Sequence, residues 1–194
     1  MSCAHVVGTR DPAGTHLCAG ARVPGWQAGA VTDPAASRRL VLLRHAKSEW
    51  PDGVPDHERP LTGRGRRDAA AAGRWLAARV GRVDAVACST AARTRETWAL
   101  VAAELADPPA PEFADALYGA PPDAILGVVR DLPDDAATAL VVGHNPGIQE
   151  VVGLLSGEEV GMRTATVAVL GWTGRWSDVT AGIAAVEQQE TPRG

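Results

Sequence analysis

Three short apolar runs constrain this chain more than any other feature. Leu40-Val41-Leu42-Leu43 is continuous, Val83 to Cys88 is nearly so, and Ala139-Leu140-Val141-Val142-Gly143 follows later. Such runs suit strands covered on both faces. The segments between them have helical period. The spacing predicts a helix over 63–80, capped by Thr62, with Ala69, Ala72, Leu76 and Val80 on one face. A second, capped by Ser89 or Thr90, turns Ala91, Thr94, Trp98, Val101 and Leu105 inward. A third spans about 121–130, after the Pro-rich break at 108–111. A fourth starts at Asn145-Pro146, because proline suits a first helical turn, and points Ile148, Val151, Val152 and Leu155 at the core. Thr164–Trp172 and Ser177–Val186 alternate enough for two strands joined at Thr173-Gly174-Arg175. Strands alternating with helices give a three-layer α/β/α fold, and the closing hairpin makes its mostly parallel sheet mixed.

A length of 194 residues suits one core. Residues 1–38 carry no sustained apolar period and read as a disordered N-terminal arm. The folded domain is then 39–188, with a C-terminal tail over 189–194. Cys3, His5, His16 and Cys18 in the arm match no common zinc spacing. Three cysteines make no disulfide framework, and neither a signal peptide nor a membrane span is evident, so the expected location is cytoplasmic. The net charge of −4 gives no footprint for nucleic acid or an anionic membrane. Any positive charge needed for function is therefore local. A monomer is expected.

Open α/β sheets bind ligands beyond the carboxyl ends of their strands. Arg44-His45 follows the first run. Ser89 and a helix carrying Arg93 and Arg95 follow the second, and His144-Asn145-Pro146 the third. Two imidazoles and at least two guanidiniums thus share one rim with helix N-termini. That is an anion site, and phosphate fits it because arginine forks match its oxygens. An imidazole there can attack phosphorus, with neighbouring guanidiniums holding it unprotonated and stabilising the equatorial oxygens.

Leu42-Leu43-Arg44-His45-Ala46 resembles the histidine phosphatase superfamily, especially its short SixA-type phosphohistidine phosphatases. Arg59-Pro60-Leu61-Thr62-Gly63, Ser89 to Thr97, Ala116-Leu117-Tyr118-Gly119-Ala120 and Val142-Gly143-His144-Asn145-Pro146-Gly147 extend the resemblance over about residues 39–186. It implies a phosphoglycerate mutase-like fold. It also implies His45 as the nucleophile that forms a phosphohistidine, with Arg44, Arg93 and His144 around the phosphoryl group and Arg59 in its binding. No metal and no organic cofactor are implied. Ala116 stands where many members carry an acid, leaving Asp56 first and Asp115 second as possible proton donors. This departure favours a phosphoramidate substrate, because a phosphohistidine leaves as imidazole and needs less help than an alkoxide. The preferred reading is a hydrolase acting on protein phosphohistidine. A small-molecule phosphomonoesterase or mutase and a non-catalytic phosphate-binding module remain alternatives.

Overall fold

The computed structural model describes residues 36–194, so residues 1–35 of the proposed arm, with its four Cys and His residues, lie outside the described residues. Ser37 and Arg38, assigned to the arm, open the first strand, and Gln189 and Glu190, assigned to the tail, end the last. Six strands form one sheet: β1 (Ser37–Arg44), β2 (Ala85–Ser89), β3 (Glu112–Ala114), β4 (Thr138–Gly143), β5 (Val167–Thr173) and β6 (Ala185–Glu190). Their order is β3-β2-β4-β1-β5-β6. The first four are mutually parallel, while β5 runs antiparallel to β1 and β6 antiparallel to β5. The expected mixed, mostly parallel sheet is present.

The three apolar runs became the three central strands because each has a helix layer on both sides. On one face, Val41, Leu43, Val86, Cys88, Leu140 and Val142 pack with Ala72, Leu76, Trp98 and Val101. Those partners come from α1 (Gly63–Arg79) and α2 (Ala92–Ala102). On the other, Leu40, Leu42, Ala87 and Val141 meet Ile125, Val129, Ile148, Val151 and Leu155. These belong to α3 (Pro122–Arg130) and α4 (Gly147–Ser156). Successive residues of one strand therefore feed opposite cores. Trp98 is buried, and Trp75 packs half-buried beside it, as expected of helix-to-sheet contacts. No helix among the described residues is long and apolar enough to cross a membrane.

Several local expectations need correction. Strand β3 was not expected; it is three residues long and follows a Pro-rich stretch that gives no strand signal. The last strand is β6, not 177–186. Trp176–Asp178 forms a 3-10 turn instead, because the Trp176 ring is fully buried and its Nε1 donates to the Ala136 carbonyl (2.9 Å). Helix α2 is flanked by Ala91 with no side-chain cap, so neither Ser89 nor Thr90 caps it. Pro146 precedes α4 rather than opening it, and its bond to Asn145 is cis. The Thr62 cap does form, accepting from Gly65 N (2.8 Å).

Candidate active site

The site follows from strand register. Parallel pairing places Arg44 opposite Gly143, so His45 and His144 emerge side by side where β1 and β4 end. His45 N donates to the Gly143 carbonyl (3.0 Å), continuing the ladder by one step. The ring centroids lie 5.1 Å apart at 57°. Ser89, ending β2 on the far side of β4, meets His144 Nε2 through its Oγ (2.8 Å). Three neighbouring strands thus deliver three polar side chains to one rim.

His45 is buried, and its Nδ1 lies 2.8 Å from the Ala46 carbonyl oxygen. A carbonyl only accepts, so Nδ1 carries the proton and Nε2 keeps a lone pair. Ala46 is itself anchored: its N–H donates to Thr97 Oγ1 (3.1 Å), whose hydroxyl donates to the Arg93 carbonyl (2.6 Å). Burial, with Arg93, Arg44 and Arg59 nearby, lowers the His45 pKa to about 4 against the pull of the Ala46 bond. His144 falls to about 3, through burial first, then His45 and Arg93. Both rings are therefore neutral at physiological pH. His144 Nδ1 is buried without a protein partner.

The arginines differ in how they are held. Arg44 Nη1 donates to the Met162 carbonyl (2.8 Å), which also accepts from Asn145 Nδ2 (2.9 Å). Burial lowers the Arg44 pKa. Arg93 is buried in the first turn of α2, with Nη1 on the Asp56 carbonyl (2.6 Å) and Nη2 on Asp56 Oδ2 (3.0 Å). Arg59 bonds the Glu49 carbonyl, Asp56 Oδ1 and Ser48 Oγ, and its guanidinium lies 3.1 Å from the centroid of the Trp50 ring. Arg44, Arg59 and Arg93, with Asp56, Trp50 and Tyr118, line one open cleft of about 450 Å³.

Every residue expected in the phosphoryl site (His45, His144, Arg44, Arg93 and Arg59) lines this cleft, as does Asp56. Asp115 is exposed on the 3-10 turn Asp115–Leu117 and is not among the lining residues. Arg95 points to solvent, and its neighbour Glu96 pairs with Arg66 instead. Sequence reasoning gave Tyr118 no role. Its hydroxyl donates to Asp56 Oδ2 (2.7 Å), and its ring stands edge-on to His144 at 5.6 Å. The stretch Ala116 to Ala120 was the one available signal. With Tyr118, Arg59 and Arg93 all donating to it, the Asp56 carboxyl is held well below the usual carboxylate range and stays ionised.

Residues 40–118 match the profile of the histidine phosphatase superfamily, branch 1. An uncharacterised protein of Mycobacterium tuberculosis is 41% identical over 162 residues, covering 78% of this chain and all of that protein. The chain belongs to the histidine phosphatase superfamily. Among solved structures, a candidate phosphohistidine phosphatase SixA from Nakamurella multipartitia is 39% identical, with a TM-score of 0.75 over 82% of this chain and 99% of that one. A second candidate SixA, from Agrobacterium tumefaciens, is 26% identical with a TM-score of 0.70, over 80% and 98%. The chain is therefore SixA-like, with the expected phosphoglycerate mutase-like α/β fold, in a superfamily of phosphatases.

Proposed function

We propose that this protein removes phosphoryl groups from protein phosphohistidine through a phosphohistidine intermediate on His45. The observation that carries the reading is the Nδ1 bond of His45 to the Ala46 carbonyl, which leaves Nε2 free beside His144 and Arg93. The Nε2 lone pair forms a bond to phosphorus, and the substrate P–N bond breaks. When the other ring nitrogen of the substrate is protonated, the imidazole leaves neutral with the bonding pair, and no protein acid is required. His45 becomes a phosphoimidazolium whose Nδ1 keeps its proton, donated in a hydrogen bond to the Ala46 carbonyl. Water then attacks phosphorus, the pair returns to Nε2, and dihydrogen phosphate forms and gives a proton to solvent. Arg44, Arg93 and His144 stabilise the equatorial oxygens, and Arg59 reinforces the positive rim. No metal or organic cofactor takes part in these steps.

The choice of a phosphoramidate rests on proton supply. An alkyl ester leaves as an alkoxide that needs a proton. Asp56 is held ionised by its partners, and Asp115 is outside the cleft lining. The open cleft also suits a phosphoryl group carried on a protein surface. These features weigh against the small-molecule phosphomonoesterase, and the free Nε2 weighs against a non-catalytic module.

The test is turnover with EDTA present, on phosphohistidine protein and on p-nitrophenyl phosphate, by wild type and His45→Ala. Wild type is expected to act on the first substrate with the higher kcat/KM, and the variant to lose about a thousandfold or more. The trapped intermediate is expected to be acid-labile and base-stable. Retained turnover in His45→Ala, or an acid-stable phosphoenzyme, refutes the proposal.

A further inference from the structure

Asp56 is placed oddly for a residue of an anion site. Its Oδ1 accepts from Arg59 Nη1 (2.8 Å), and its Oδ2 from Arg93 Nη2 (3.0 Å) and the Tyr118 hydroxyl (2.7 Å). The same cleft holds the His45 and His144 rings. A carboxylate thus already occupies the guanidinium donors that a phosphoryl group requires. It is no buried structural anion: its side chain is 46% exposed, while those of Arg59 and Arg93 are 7% exposed. The arginines are fixed and the carboxylate is the exposed partner. Arg93 also keeps its position without that side chain, because its Nη1 bonds the backbone carbonyl of Asp56 (2.6 Å).

We propose that the Asp56 carboxylate is an internal competitor, displaced from Arg93 and Arg59 when a phosphoryl group binds and returning to expel the product phosphate. The inference rests on the phosphoryl-site reading above. It assigns Asp56 to product release rather than proton donation. The exchange trades one set of charge-assisted bonds for another, so anion binding is weakened without loss of the arginines needed in the transition state.

Tungstate and perrhenate test this, being tetrahedral oxyanions of like shape with charges of minus two and minus one. Titration calorimetry of the full chain at pH 8 compares wild type, Asp56→Asn and Asp56→Ala. Displacing the carboxylate costs the same whichever anion enters. Both variants are therefore expected to bind both anions tighter by one common factor, about tenfold. A carboxylate that stays in place would instead repel the divalent ion about twice as strongly in free energy, so the factor for tungstate would be about the square of that for perrhenate. That outcome, or unchanged or weaker binding in both variants, overturns the proposal. Failure of wild type to bind tungstate would refute the phosphoryl site itself, and this inference with it.

Discussion

At the residue scale, the two histidines of the candidate site tie its electrostatics to stability. Their folded pKa values, about 4 and about 3, lie below the roughly 6.5 of an unfolded imidazole. As pH falls below about 6.5, the unfolded chain takes up these protons first. Their contribution is thus complete above that pH and is lost toward the folded pKa values, at up to about 1.4 kcal/mol per pH unit per ring. Urea midpoints are expected to drop between pH 7 and pH 5. Replacing both rings by glutamine should flatten the drop, and an equal slope in that variant would contradict the assignment. Imidazole NMR signals of positions 45 and 144 should likewise stay in the neutral form at pH 5. Thr97 supports the same ring indirectly, since it accepts from Ala46 N and donates to the Arg93 carbonyl in a buried setting. Thr97→Val strands that N–H, and thermal or urea unfolding should show a loss of about 1–3 kcal/mol.

At the element scale, the start of α1 presses on the loop that follows His45. A Cβ at Gly65 would collide with the Lys47 carbonyl, which accepts from Thr62 N (2.9 Å). Backbone meets backbone there, so no side chain can swing away. Gly65→Ala is expected to lower kcat/KM at least tenfold by moving the 46–50 segment, whereas Gly63→Ala, whose Cβ would meet only the end of the Arg67 side chain at 4.0 Å, should leave activity near wild type. Comparable activity in the two variants would dismiss the coupling. Much of this level was legible in the sequence. The central strands announced themselves by apolar runs and the helices by period and by the Thr62 cap, and strand ends named both histidines and Arg44. Burial decided the rest. Ser177 to Val179 looked like the start of strand alternation, but a turn there puts Trp176 and Val179 into the core. Glu112-Phe113-Ala114 has no pattern to detect, because a short edge strand is held by its neighbour β2. The Asp56–Arg93–Tyr118 cluster joins residues 37 and 62 positions apart, and no local pattern encodes a contact made only by the completed fold.

At the scale of the whole molecule, both sheet edges are guarded. β3 has three residues, and β6 carries Glu187, Gln188, Gln189 and Glu190. Short and charged edges resist pairing with another copy. Light scattering is expected to give the monomer mass, and Glu187→Val with Glu190→Val should promote association; a wild-type dimer would contradict this.

The distance between the two imidazoles is set by backbone, since the rings stand on adjacent ends of a continuous parallel ladder. Neighbouring strands have a fixed pitch of about 4.8 Å, which core substitutions leave almost untouched. Reactive geometry in this scaffold is consequently inherited from the hydrogen-bond lattice. Trp50, Asp56 and Tyr118 line the same cleft from segments outside that lattice, so substitutions there can reshape its mouth while the spacing of the two rings is kept.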